Sequence, residues 1–250
     1  MPIHVWAKVP SGLFHHFHQD WSIEIARTLN HGRLPKGLTA LVEQKTGTKE
    51  GDILAIESKD TYRRKNEDRG GTLTLERPVT RIVRRSDQAF YADKANRIVI
   101  RHHLGRIVAV IEIVSPGNKD GVKALRDFVE KIASYIDRGI RVVVIDLFPP
   151  TKRDPFGIHK AIWDQIVEED FTFPPNTDRV MASYEAGTTK TAFVEPIGVG
   201  DTMRDMPLFV EEGIHVWLPL DSTYQTSWNA TPEAIREAVR TGVLPSMSDE

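Results

Sequence analysis

Apolar residues at Phe14, Phe17, Trp21, Ile25 and Leu29 fall close to the helical period, and Gly32 and Pro35 follow as stop signals. The spacing predicts an amphipathic helix over 14–29, laid on a sheet. Short strands are expected at 38–44 and 52–57, separated by a turn near Gly47 and Gly51. The segment 59–71, KDTYRRKNEDRGG, is almost wholly polar and reads as an exposed loop. Strand patterns return at 73–75, 80–84 and 97–101, with His102-His103 before Leu104-Gly105 as a hairpin loop. They lead into RIVAVIEIV at 106–114, rich enough in Ile and Val for a strand covered on both faces. Ser115-Pro116-Gly117-Asn118 closes that strand. The period turns helical again over 122–138, where Val122, Leu125, Phe128, Val129, Ile132 and Ile136 share a face and Gly139 supplies the stop. IRVVVIDLF at 140–148 is a second buried-type strand, ended by Pro149-Pro150. Strand, crossover helix and strand make a βαβ unit, so the fold class expected is α/β with a mixed central sheet and flanking helices.

The second half is less regular. It suggests a short helix at 158–169 and a hairpin of edge strands from 179–184 and 190–196. Pro207-Leu208 and 216–220 read as strand or docking segments. Thr231 as N-cap, Pro232 at N1 and acidic first-turn chemistry predict a terminal helix over 232–240, with Gly242 as its stop. The organisation expected is one α/β domain over 1–242, with the exposed loop at 59–71 and a disordered tail at 243–250.

Composition narrows the chemistry. The 250 residues carry 33 Lys and Arg against 35 Asp and Glu, a formal charge of -2, which argues against a general nucleic-acid coat protein but permits a local basic patch. The absence of cysteine removes disulfides, zinc-thiolate sites, iron-sulfur clusters and a thiol nucleophile. No signal segment or run of 18 apolar residues is legible, so a cytoplasmic protein without a membrane partner is expected. Gly-rich phosphate loops, a serine elbow and a HExxH motif are also missing.

Glu112 interrupts an otherwise apolar strand. A carboxylate there must find a compensating group, because uncompensated burial costs several kcal/mol or neutralises the acid. It is either half of a divalent-metal site or a glutamate paired to a buried lysine, capping a backbone group or lying at a solvated sheet end. Lys131 and Tyr135 sit one turn apart at the border of the apolar face of the 122–138 helix. Lys131 either snorkels to solvent or reaches back toward the end of the Glu112 strand. Asp52 opens a strand, and Asp146 at a strand end either accepts backbone hydrogen bonds or helps to position Lys131. Arg63, Arg64, Lys65, Arg81, Arg84 and Arg85 form either a solvated face or contacts to a nucleic-acid backbone. His15, His16 and His18 resemble a metal cluster by proximity alone, since neighbouring helical residues diverge.

The runs IEIVSPGNK at 111–119 and KIASYIDRGIRVVVIDLFPP at 131–150, with the opening WAKVPSGLFHHFH, resemble the bacterial domain-of-unknown-function family 4058 over roughly residues 6–228. The Glu-x-x-Ser-Pro element and the Lys-x3-Tyr-x3-Gly helix are similar to putative restriction-endonuclease-like proteins of the PD-(D/E)XK superfamily. The resemblance implies a restriction-endonuclease-like core in which Asp52 and Glu112 bind Mg²⁺, Lys131 assists the attacking water and Tyr135 is accessory. Two departures stand out. Gly51 occupies the place of the family's proline before Asp52, and Val114 stands where a lysine two residues beyond the glutamate is expected, so Lys131 would be a migrated lysine. The activity so implied is Mg²⁺-dependent phosphodiester hydrolysis of DNA or RNA. The alternative is a catalytically inactive scaffold that binds a protein or nucleic acid.

Overall fold

The computed structural model describes residues 3–43, 80–86, 97–103 and 105–243. Asp52, the strands expected at 52–57 and 73–75, the polar loop 59–71 and residues 244–250 lie outside them. Helix α1 spans Ser11–Asn30, and the strands that follow are β1 (Leu38–Glu43), β2 (Ile82–Ser86), β3 (Arg97–His102) and β4 (Ile107–Ile113). The short helix α2 (Pro116–Lys119) and the crossover helix α3 (Val122–Asp137) lead to β5 (Arg141–Asp146) and α4 (Gly157–Trp163). The remainder comprises β6 (Arg179–Ala186), β7 (Lys190–Ile197), β8 (Met206–Glu211), β9 (Ile214–Leu218), α5 (Leu220–Ala230) and α6 (Glu233–Thr241).

Among the described residues seven strands form one mixed sheet in the order β1-β3-β4-β5-β6-β7-β2, in which β4 and β5 are the parallel pair and all other neighbours are antiparallel. The expected α/β class with helices on both sides of a mixed sheet is what the chain adopts. Alternation along the two central strands assigns the faces. Ile111, Ile113, Val143 and Ile145 point toward α1, α5 and the β8–β9 hairpin, whereas Val110, Val142 and Val144 point toward α3 and α4. Both faces are apolar because both are covered, which is why β4 and β5 read as continuous hydrophobic runs.

On the first face, the stripe Phe14, Phe17, Trp21, Ile25 and Leu29 of α1 is fully buried, as the spacing predicted. Its aromatic rings meet Tyr224 and Trp228 of α5 edge-on, and two indole N–H groups find hydroxyl acceptors: Trp6 donates to the Tyr224 hydroxyl at 3.0 Å and Trp21 to the Thr223 hydroxyl at 3.1 Å. On the second face, α3 ends in a Schellman motif. Gly139 takes the left-handed conformation with φ +74° and donates to the Ile136 carbonyl, while the Ile140 N–H reaches the Tyr135 carbonyl at 2.8 Å. That reversal sends the chain directly into β5.

Four expectations are corrected. Val122, placed on the apolar face of the crossover helix, is exposed, because the first residue of α3 lies before the helix reaches the sheet. The 179–196 hairpin is internal: β6 pairs with β5, and β7 is covered by β2. The helix expected over 158–169 ends at Trp163. Thr231 closes α5 instead of opening α6, its N–H and hydroxyl both donating to the Ser227 carbonyl, and Pro232 takes the N-cap position.

Two histidines of the first face make stability depend on pH. Burial, with a smaller contribution from neighbouring His15, lowers His18 from 6.5 to about 4; burial, then Arg240 and the amino terminus, lower His4 to about 4. Between those values the unfolded chain binds protons that the folded chain refuses, so stability is full above about pH 6.5 and is lost as pH falls toward 4. Urea denaturation at pH 7 and pH 4.5 is expected to show a loss to which His18 contributes about 2 kcal/mol after discounting its partial exposure, and His18→Gln should remove that share of the slope.

Candidate active site

Glu112 lies one residue before the end of β4, on the face that α3 covers. Lys131 occupies the third turn of α3, between Phe128 one turn before it and Tyr135 one turn after. Its ammonium meets Glu112 Oε2 at 2.8 Å and lies 4.6 Å from the centroid of the Phe128 ring. Relative exposures of 1% for Glu112 and 0% for Lys131 show how completely the pair is withdrawn from water. Lys131 therefore does not snorkel: of the alternatives open from the sequence, it takes the one that reaches back to the glutamate strand. The carboxylate it faces and the aromatic ring beneath it both offset part of the hydration the ammonium loses. Tyr135 is buried on the same helix. Val114, where the resemblance led to the expectation of a lysine, is fully buried among apolar side chains of the α3 and α4 face, so a lysine in its place would have to bury a charge there.

A second ionic cluster sits beside the first, at the ends of β4 and β5. Ser115 and Asn118 form a capping box, Asn118 Oδ1 accepting from the Ser115 N–H at 2.8 Å and from its hydroxyl at 2.9 Å, and the tight turn so made directs Lys119 inward. The Lys119 ammonium bonds Asp146 at 2.7 Å, Asp154 at 2.8 Å and the Pro149 carbonyl at 3.2 Å, and all three charged groups are buried. Burial pulls Lys119 down, but the two carboxylates outweigh it and hold the amine above its ordinary value. Burial pushes Asp146 above the usual carboxylate range against the opposing pull of Lys119 and of the Phe148 N–H, which donates to its other oxygen at 3.0 Å. Asp146 thus accepts a backbone hydrogen bond as one expectation held, while the lysine it holds is Lys119 and not Lys131. The sequence reading missed Lys119 and Asp154. Their signal was positional: both lie in loops leaving the carboxyl ends of two parallel strands, where polar side chains converge.

The basic residues behave differently from one another. Arg81 is engaged with Glu195, through its guanidinium at 3.0 Å and its backbone N–H at 3.2 Å, and Arg204 adds a second cation at 3.5 Å. Glu195 pairs in register with Met181, which places it on the α1 side of the sheet, away from Glu112. Arg81 is therefore a partner for a buried carboxylate. Arg63, Arg64 and Lys65, and the side chains of Arg84 and Arg85, lie outside the described residues. His15 bonds Gln19 at 2.8 Å and its ring is 6.5 Å from that of His18. Among the described residues no three His, Asp or Glu side chains are placed to hold a metal ion. No described helix is long and apolar enough to cross a membrane.

Comparison with protein-family models, with curated proteins and with solved structures gave no match.

The Glu112–Lys131 pair makes a stability prediction independent of any activity. Lys131→Met takes the ammonium away from a buried carboxylate and is expected to cost about 3–5 kcal/mol, whereas Glu112→Leu combined with Lys131→Met replaces the pair by apolar groups and should recover most of the loss. Urea titration of the two variants against the parent protein checks this. A double variant no more stable than the single would contradict it.

Proposed function

We propose that the chain is a metal-dependent phosphodiesterase acting on nucleic acid, with Glu112 and Lys131 as the described half of its site. The observation that carries this reading is the 2.8 Å contact between Glu112 and Lys131. The resemblance to PD-(D/E)XK proteins assigned a carboxylate and a migrated lysine to these two positions, 19 residues apart on different elements. The mixed sheet flanked by helices is consistent with a restriction-endonuclease-like core and is shared by other α/β folds. Placement at the carboxyl end of a parallel strand pair adds to the case, since ligands of open α/β sheets gather there.

Magnesium fits half of such a site. Carboxylate oxygen is the donor that this hard cation prefers, and Glu112 provides it; among the described residues no further carboxylate completes the cluster. The reading assigns the second ligand to Asp52 and the remaining positions to water. When bound, the ion supplies Lewis acidity and a water of lowered pKa. Lys131 holds positive charge beside the carboxylate, where the negative charge of a phosphoryl group in transfer would grow. Tyr135, on the same helix, is an accessory group in this scheme.

The sealing of the pair favours a second reading. A salt bridge with almost no exposed surface is what a catalytically inactive scaffold would keep as a helix-to-sheet lock, with protein or nucleic acid bound elsewhere. One experiment separates the two. Hydrolysis of labelled DNA and RNA is measured with Mg²⁺ and with a chelator, for the parent protein and for Glu112→Gln and Asp52→Asn. The phosphodiesterase reading expects Mg²⁺-dependent cleavage that falls at least ~100-fold in both variants, in line with the loss of a principal charge-stabilising group. Asp52→Asn leaves the Glu112–Lys131 pair in place, so the test survives if Glu112→Gln is poorly folded by circular dichroism. Absence of cleavage by the parent protein, or equal cleavage by Asp52→Asn, rejects the reading in favour of the scaffold.

A further inference from the structure

The segment that leaves β5, Pro-Pro-Thr-Lys-Arg-Asp-Pro-Phe at 149–156, is a loop by sequence but is held like a structural element. Asp154 accepts from the Thr151 N–H at 2.8 Å and from the Thr151 hydroxyl, and its other oxygen meets the buried Lys119 ammonium. The Arg153 N–H donates to the Thr151 hydroxyl at 3.1 Å, and one guanidinium nitrogen of Arg153 donates to the Lys119 carbonyl at 3.0 Å. At its far end Gly157 has φ +83°, and a Cβ there would stand 2.7 Å from the Phe173 ring, so the backbone turns at a position that tolerates no side chain.

Lys152, Arg153 and Pro155 are exposed, and Phe156 is 52% exposed at the start of α4. The loop's one acid, Asp154, is buried and shares the Lys119 ammonium with Asp146. On the neighbouring helices Lys123 pairs with Asp127, Arg126 with Glu130 and Lys160 with Asp164. Among the described residues neither Lys152 nor Arg153 has a carboxylate partner. Two uncompensated cations and a projecting aromatic ring, on a backbone that needs no ordering, match a backbone-tracking charge beside a stacking platform. A protein partner would call for a wider apolar patch than one phenyl ring and a proline.

We infer that the 149–156 loop binds single-stranded nucleic acid, Lys152 and Arg153 contacting phosphates and Phe156 stacking on an unpaired base. The inference rests on the phosphodiesterase reading for its ligand class and deepens it by naming the strand state of the substrate. The loop leaves the same parallel strand pair that carries Glu112, so a strand held there lies at the same edge of the sheet as the candidate site.

The test is fluorescence anisotropy with a labelled oligothymidylate of about 20 nucleotides and a duplex of equal length, in chelator so that cleavage does not enter. Tighter binding of the single strand is expected. Phe156→Ala should weaken it about ten-fold, the scale of one lost base stack. Lys152→Glu with Arg153→Glu should weaken it at least as much, and should reduce the slope of log affinity against log salt by about 1.4 for two phosphate contacts. Arg138→Glu, a charge reversal at the opposite end of α3, should leave affinity within about two-fold, which separates a local contact from a change in overall charge. A preference for duplex, an unchanged affinity in Phe156→Ala, or equal effects of the reversals at 138 and at 152 and 153 would overturn the inference. Loop-dependent binding without Mg²⁺-dependent cleavage removes the phosphodiesterase reading alone. Cleavage that needs Glu112 and Asp52, with binding indifferent to the loop, removes this inference alone.

Discussion

Two carboxylates on one covered face of a parallel strand pair constrain nearly everything around them. Glu112 of β4 and Asp146 of β5 both point to the side that α3 and α4 close, where Val110, Val114, Val142 and Val144 otherwise make an apolar layer. Each must meet a cation within that layer or remain protonated. Glu112 meets Lys131, and because Lys131 belongs to the crossover helix, the pair fixes the rotation of α3 about its axis: a turn of one residue position would swing the ammonium out and carry Phe128 or Ile132 off the sheet. Asp146 meets Lys119, which belongs to the connection before that helix. The two lysines thus pin the start and the middle of one crossover to the two strands it joins.

The apolar contacts of α3 are worth more in area, but they are permissive. Leu125, Val129 and Ile136 would pack about as well with the helix shifted slightly, as volume-conserving core changes generally do. Ion pairs at 2.7–2.8 Å do not allow that freedom. Their net worth is small if each is compared with an apolar replacement of the same shape, and large if one partner is removed, so their contribution here is to choose among arrangements that the hydrophobic layer alone leaves close in energy.

What the sequence made legible follows the same division. Buried strands of Ile and Val, the α1 stripe and the left-handed Gly139 were readable because each depends on local period or local turn chemistry. Glu112 was readable as an anomaly, but position on the helix left Lys131 between solvent and the Glu112 strand, because a residue at the border of an apolar face can turn either way. Lys119 was not readable in the same way: within SPGNK it looks like one more polar turn residue, and what buries it is Asp154, 35 positions further on. Helix α5 was missed because Asp-Ser-Thr and Thr-Ser have poor helical propensity. Its signal was the apolar series Leu220, Tyr224 and Trp228 at four-residue spacing, and it owes its helicity to the rings of α1 against which that series packs. The internal position of the β6–β7 hairpin depended on β2, whose residues pair with β7 across 104–112 positions of sequence, and no local pattern carries so distant a pairing.

Strand direction explains why polar chemistry gathers at one edge of this sheet. Antiparallel neighbours send successive connections to opposite ends, so their loops do not meet. The β4–β5 pair is parallel, and both strands release the chain at the same end. The loops 114–121 and 147–156 therefore run side by side, and the contacts between them, Lys119 with Asp154 and Arg153 with the Lys119 carbonyl, exist only because of that. Asp154 turns inward to the lysine it shares with Asp146, so Lys152 and Arg153 face outward without a carboxylate partner among the described residues. A sealed ionic interior and two exposed cations at the same end of the strands are two consequences of one parallel pairing.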